Sequence, residues 1–205
     1  MAEYGPCWTL CLHQTQFRRH EIFRRIDNLA EYVFWDISYD NNIEVGGEMK
    51  KILLSFKPFW YEKISTGEKI FEYRKRFCDE PVLAYMYVSR PVMAVTGIVL
   101  LDHRIPLQSW MDEYKYDRDV YVRIKDSMSR NSYAMPILEY IPTNALTLKT
   151  IQENVPGFIA PQMYYNQLPG TALCEYLEKN IHNTGEKIVN NFEGNIKEEI
   201  CKKMT

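Results

Sequence analysis

The octapeptide Gly67-Glu68-Lys69-Ile70-Phe71-Glu72-Tyr73-Arg74 decides how this chain is read. Glycine suits the C-terminal end of a helix, and the segment before it, Pro58 to Thr66, reads as one. Lys57-Pro58 opens that helix, because proline's fixed φ and missing N–H suit the first turn. Phe59, Trp60 and Ile64 are its packing residues. After Gly67, Lys69 to Phe77 reads as a strand. Residues two apart on a strand share a face, so Ile70, Glu72 and Arg74 point one way and Phe71 and Tyr73 the other. Lys69 brings a flexible ammonium to the rim of the Glu72–Arg74 face. A carboxylate between two cations stays ionised, so Lys69 and Arg74 can hold a phosphate while Glu72 reads an exocyclic amine. On spacing alone, a plain Glu–Arg surface pair worth about 0–1 kcal/mol accounts for the same residues.

Working outward, Ile52 to Phe56 is a short apolar strand that ends at Lys57-Pro58. Val82–Val88 and Val92–Leu101 read as two more strands, broken by Ser89-Arg90-Pro91. Gly97 inside the second run predicts a bulge or bend, as a small curved sheet requires. Pro106 to Asn131 has helical spacing, strand character returns at Met135–Ile141 and Ala145–Leu148, and Thr150–Asn154 starts a short helix. Pro169 to Asn180 also reads as helical. In the tail, Ile188, Phe192, Ile196 and Ile200 recur every four residues and predict an amphipathic helix that docks on the domain or on a partner, or frays. Upstream, Ile22, Ile26, Leu29 and Val33 predict a helix over Phe17–Phe34. Asp40-Asn41-Asn42 and Gly46-Gly47 then punctuate a connector. The chain is therefore divided into a helical extension over 1–48, a domain over 49–180 and a helical tail over 181–205. The run from Met49 reads like the beginning of a compact domain. One reading makes Met49 an alternative translation start, which sequencing the native N-terminus would test.

Ser55-Phe56-Lys57-Pro58, a helix, and then Gly67-x-Lys69-x-x-Glu72-x-Arg74 resemble the N-terminal signature of the ASCH (activating signal cointegrator homology) family. The match is clear over Lys50 to Leu101 and looser through the strands after Met135. The resemblance implies an α+β fold, a PUA-like small curved β-barrel with flanking helices and a cleft beside the first helix. It also implies RNA or nucleotide binding linked to translation or transcription control. By the same resemblance Lys57, Lys69, Glu72 and Arg74 line the cleft, and Ser89 and Arg90 at a strand end are added to them as nucleic-acid-binding residues. Some ASCH-like proteins are amidohydrolases on acetylated cytidine and others are ribonucleases. The first group carries a threonine nucleophile where this chain has Glu72. In a hydrolase acting on RNA or a modified nucleoside, Lys69 and Glu72 would be the working groups, with Glu72 as general base. A third reading is an interaction protein whose terminal amphipathic helices offer an apolar stripe to a protein partner.

Charge narrows these readings. The net charge of −2 argues against a protein that coats nucleic acid through bulk electrostatics. Residues 50–76, however, hold eight basic side chains against three acidic ones, while the first 49 residues hold four against eight. A local +5 in a near-neutral chain fits a focused phosphate site, and a solvated lysine-rich surface is the bland alternative. The aromatics Trp60, Tyr61, Tyr73, Tyr85, Tyr87, Tyr164 and Tyr165 can stack bases. The alternation Ala84-Tyr85-Met86-Tyr87 more simply marks a packed strand face. No apolar run is long enough to span a membrane, and no signal-peptide pattern opens the chain. Five scattered cysteines read as free thiols in a cytoplasmic protein. Cys7, Cys11, His13 and His20 fit no zinc spacing, and His103 and His182 show no partner in the sequence. No metal or cofactor is expected, since P-loop, dinucleotide-binding, GxSxG and HExxH patterns are all missing.

Overall fold

The computed structural model describes residues 49–204 except 163, 166–167 and 193–195. The helix expected over Phe17–Phe34 and the Cys7, Cys11, His13, His20 set lie outside the described residues.

Among the described residues, eight strands form one curled, half-barrel sheet. Strand β1 is Lys50–Phe56, β2 Phe71–Arg74, β3 Val82–Val88, β4 Ala94–Leu101, β5 Ile105–Pro106, β6 Tyr133–Thr147, β7 Tyr164–Tyr165 and β8 Ile188–Val189. The order is β2-β6-β4-β3-β1-β7, with β5 and β8 also paired to β6. Pairing is antiparallel except for β1 and β3, which run parallel with Ile52 opposite Ala84 and Phe56 opposite Val88. The helices are α1 Pro58–Ser65, α2 Leu107–Glu113, α3 Arg118–Met128, α4 Leu148–Asn154 and α5 Ala172–Asn180. Capping sets three of their starts. Asp117, Thr147 and Thr171 accept hydrogen bonds from the backbone N–H of Val120, Thr150 and Cys174, each satisfying a donor that the first turn leaves free.

Three apolar clusters follow from the alternation of strand side chains. Ile52, Leu54 and Phe56 of β1 join Ala84, Met86 and Val88 of β3 and Val99 of β4 on the concave face. Leu53, Tyr85, Tyr87 and Val95 face the other way, against Ile151 of α4 and Leu173 and Leu177 of α5. Tyr85 and Tyr87 are therefore core residues. Phe71 packs with Trp110 of α2 and with Val120 and Ile124 of α3 in the third cluster. The β4 bulge expected at Gly97 is present, since pairing with both β3 and β6 shifts register beside it. A Cβ on Gly97 would fall 2.6 Å from Tyr140 Cε2 and 3.1 Å from the Ile141 carbonyl, so glycine is what allows the Tyr140 ring to cross the strand.

Several expected elements change. The helix expected from Pro106 to Asn131 is broken between Glu113 and Arg118. Strand β6 runs unbroken through both segments read separately, and β2 ends at Arg74 rather than Phe77. Among its described residues the tail forms no α-helix. It forms β8, whose Val189 and Ile188 pair with Glu139 and Tyr140, and later one short 3-10 turn at Ile196–Glu198.

Candidate nucleic-acid interface

The site begins at the corner between α1 and β2. Gly67 adopts φ +75, a left-handed conformation open to glycine at no steric cost, and its N–H closes the helix on the Ile64 carbonyl at 3.0 Å. The chain turns, the Lys69 N–H donates to the Lys63 carbonyl at 2.9 Å, and β2 follows beside β6 with Glu72 opposite Met135 and Arg74 opposite Tyr133. Met135 belongs to the concave core, so Glu72 and Arg74 project toward the inside of the half-barrel, on one face as the strand period requires.

Lys69 is the first surprise. Expected at a solvated rim, it is only 5% exposed and Glu72 only 6%. The Lys69 ammonium donates to Glu72 Oε2 at 2.6 Å and to the Phe71 carbonyl. It also lies 5.5 Å from the ring centres of both Trp60 and Tyr73, an arrangement in which two π faces partly replace lost water. Glu72 Oε1 lies 2.7 Å from Arg74 Nε, an ion pair whose angle falls outside hydrogen-bond geometry. Both carboxylate oxygens are thus engaged, and the triad carries one net positive charge. Burial pushes the Glu72 pKa upward, but the charges of Lys69 and Arg74 and the hydrogen bond from Lys69 outweigh it and hold the carboxyl below the usual glutamate value. Burial likewise draws the Lys69 ammonium below the ordinary lysine value, against the opposing pull of Glu72.

Arg74 reaches out of this triad toward β1. Its Nη2 donates to the Ser55 carbonyl at 2.8 Å and its guanidinium carbon lies 5.5 Å from the Phe56 ring centre. Nη1 has no hydrogen-bond partner among the described residues. Arg74 therefore ties β2 to the C-terminal end of β1. Lys57 follows there, exposed, and the Ser89 N–H donates to the Phe56 carbonyl at 2.8 Å, which brings half-buried Ser89 and exposed Arg90 to the same strand ends. Lys57, Arg74, Ser89 and Arg90 are brought together; Lys69 and Glu72 stand behind Arg74 as its support.

Some groups escaped the sequence reading. Phe59, expected to pack, is 39% exposed, with its ring edge-on to Trp60 at 4.8 Å and the Lys63 ammonium 5.8 Å from its centre. Tyr61 of α1 packs against the concave cluster that holds Tyr140, bringing together residues 79 positions apart that no local pattern pairs. His103 does have a partner, its own neighbour: Asp102 Oδ1 lies 2.9 Å from Nδ1 and accepts from the His103 N–H at 2.7 Å. Among the described residues no group of three or more histidine, cysteine or acidic side chains is placed to hold a metal ion, and no helix is long and apolar enough to cross a membrane.

No protein-family model and no curated protein matches this chain. Solved structures do. The ASCH protein of Zymomonas mobilis matches with a TM-score of 0.51 at 19% identity, over 65% of this chain and 97% of that one. A serine-to-alanine variant and a tyrosine-to-phenylalanine variant of the same protein match with the same TM-score at 18% and 17% identity, over 97% and 99% of their length. The curled sheet, the strand–Lys-Pro–helix unit and these likenesses agree: this chain has an ASCH-like fold, a curled half-barrel sheet with flanking helices, of α+β class.

Proposed function

We propose that this domain binds single-stranded RNA along the seam between β1 and β2, with Arg74 as the central phosphate ligand. One observation carries the reading, the placement of uncompensated cations. Of the basic residues between 50 and 76, Lys50 is paired with Glu80, Lys51 with Glu178, Lys63 with Glu68 and Lys69 with Glu72. Those left exposed and without an ion pair to any described residue are Lys57, Lys75 and Arg76, to which the β3 end adds Arg90. Lys57 and Arg90 lie on the β1 side of Arg74, and Lys75 and Arg76 follow it directly in the chain. A planar guanidinium already fixed at two edges is pre-organised for a phosphate, and cations on both sides suit a chain of phosphates better than a single one.

Phe59, two residues after Lys57, supports the same reading, since an exposed ring near cationic side chains is a stacking surface for unpaired bases. The ASCH-like fold is in keeping with an RNA-binding role in translation or transcription control. Glu72 acts here by holding Arg74 rather than by reading a base, because neither of its oxygens is free.

The test is fluorescence anisotropy with a labelled single-stranded RNA octamer, competed by a mononucleotide. The octamer is expected to bind at least tenfold more tightly than the mononucleotide. Equal affinities would overturn the strand reading, and binding of neither would overturn RNA recognition altogether.

A further inference from the structure

The tail, read from sequence as a separate helix, instead lies along the octapeptide Gly67–Arg74. Ile188 Cγ2 is 3.4 Å and Asn190 Oδ1 3.9 Å from where a Cβ on Gly67 would sit. Asn190 is fixed to β6, its N–H donating to the Leu138 carbonyl at 3.0 Å and its Nδ2 to the Ile137 carbonyl at 2.7 Å. Phe192 stands edge-on to Phe71, ring centres 5.5 Å apart. Further along, the Cys201 N–H donates to the Tyr73 hydroxyl at 2.8 Å, and Ile200 is fully buried. Gly67, Phe71 and Tyr73 are thus each met by a tail residue.

Arg123 of α3 holds this segment in place. Its Nη1 donates to the carbonyls of Glu198 at 2.9 Å and Ile200 at 2.7 Å, and its Nη2 to that of Lys197 at 2.7 Å. A planar fork can serve three carbonyls at once where an ammonium on a flexible stem holds no such geometry. Cys201 itself sits at φ 49, a left-handed conformation that a β-carbon makes costly, so the contacts around it set the local backbone. Tyr73 is the joint between tail and site: its hydroxyl is held by Cys201 while its ring lies 5.5 Å from the Lys69 ammonium.

We propose that residues 187–192 and 196–201 form a strap that positions the Lys69–Glu72–Arg74 triad through Tyr73, with Arg123 gripping the strap. Tyr73 and Arg123 are positioning residues. They approach no ligand, and they act by keeping β2 where Arg74 can bridge to Ser55. The effect on ligand affinity rests on the RNA reading above; the effect on the triad does not.

The test compares full-length wild type with Arg123→Ala, Arg123→Lys and Tyr73→Phe, all well below their melting temperatures. Two quantities are read: the titration of the Glu72 carboxyl carbon by NMR and the affinity for the RNA octamer. Arg123→Ala is expected to move the Glu72 titration up toward that of an ordinary glutamate and to weaken RNA binding about tenfold. Arg123→Lys should fail to rescue either, and Tyr73→Phe should shift both the same way. Should Arg123→Ala not fold, Tyr73→Phe, which deletes a single hydroxyl, carries the test. Variants that melt earlier while keeping the wild-type Glu72 titration and RNA affinity would reduce the tail to a structural cover and overturn the proposal. If wild type binds no RNA, the ligand reading falls while the Glu72 titration still decides the strap.

Discussion

At the scale of single residues, the buried pair at the centre of the site is unequal. Glu72 has two cationic partners, whereas Lys69 has one anionic partner, a carbonyl and two ring faces. Removing one member of a buried ion pair strands the other, at a cost of about 3–5 kcal/mol. Glu72→Leu, which leaves Lys69 with no anion, is therefore expected to destabilise the fold by that amount in urea unfolding. Lys69→Met, which leaves Glu72 still paired with Arg74, should cost less. The pair also sets an acid limit. Because the Glu72 pKa is lower folded than unfolded, its contribution is present above the unfolded glutamate value and is lost as pH falls through the folded one. The acid unfolding midpoint of wild type should accordingly respond to Glu72→Gln; a midpoint identical in the two proteins would show that the carboxylate is not what fails first. Strand alternation was enough to read Glu72 and Arg74 onto one face. The depth of Lys69 was not readable, because Trp60 and Tyr73 enclose it only after the α1–β2 corner folds.

At the scale of elements, proline and glycine were the reliable guides. Lys57-Pro58 and Gly67 bound α1, and Gly97 marks the β4 bulge. The crowding at Gly97 makes a direct prediction. Gly97→Ala puts a methyl into the Tyr140 ring, so it should cost about 1–3 kcal/mol, the usual range for an overpacked core. Thermal melting of the variant checks this, and an unchanged midpoint would mean that Tyr140 gives way freely. The tail was misread for a physical reason. A four-residue apolar repeat is a helical period, but four is also twice two, so the repeat alone does not exclude extended chain, as at Ile188 in β8, and no single element keeps it here, since Ile196 opens a 3-10 turn. What decides is the surface on offer. Edge groups of β6 take Ile188 and Val189, while Phe71 takes Phe192. Asn190, Asn191 and Gly194 in between are weak helix formers that oppose the local alternative. Neither partner surface is adjacent in sequence, and a window of fifteen residues contains no trace of it.

For the whole molecule, a net charge of −2 conceals a β1–β2 seam bridged by Arg74, while Lys57, Lys75, Arg76 and Arg90, which follow the ends of β1, β2 and β3, have no ion pair with any described residue. Its position follows from a sheet that curls until β2 comes near β1, a closure which Arg74 completes through the Ser55 carbonyl. The local excess of cations was visible in the sequence, yet which of them are spent on ion pairs was not, since Glu80 and Glu178 reach Lys50 and Lys51 from distant segments. The measurement that bears most directly on the central claim is the salt dependence of single-stranded RNA binding, in wild type and in Lys57→Ala/Arg90→Ala. These two side chains are exposed and unpaired, so their loss should leave the melting temperature unchanged. Each phosphate contact contributes about 0.7 to the slope of log K against log salt for a single strand, so the double variant should bind more weakly, with a slope shallower by about 1.4. The same affinity and the same slope in both proteins would contradict the account.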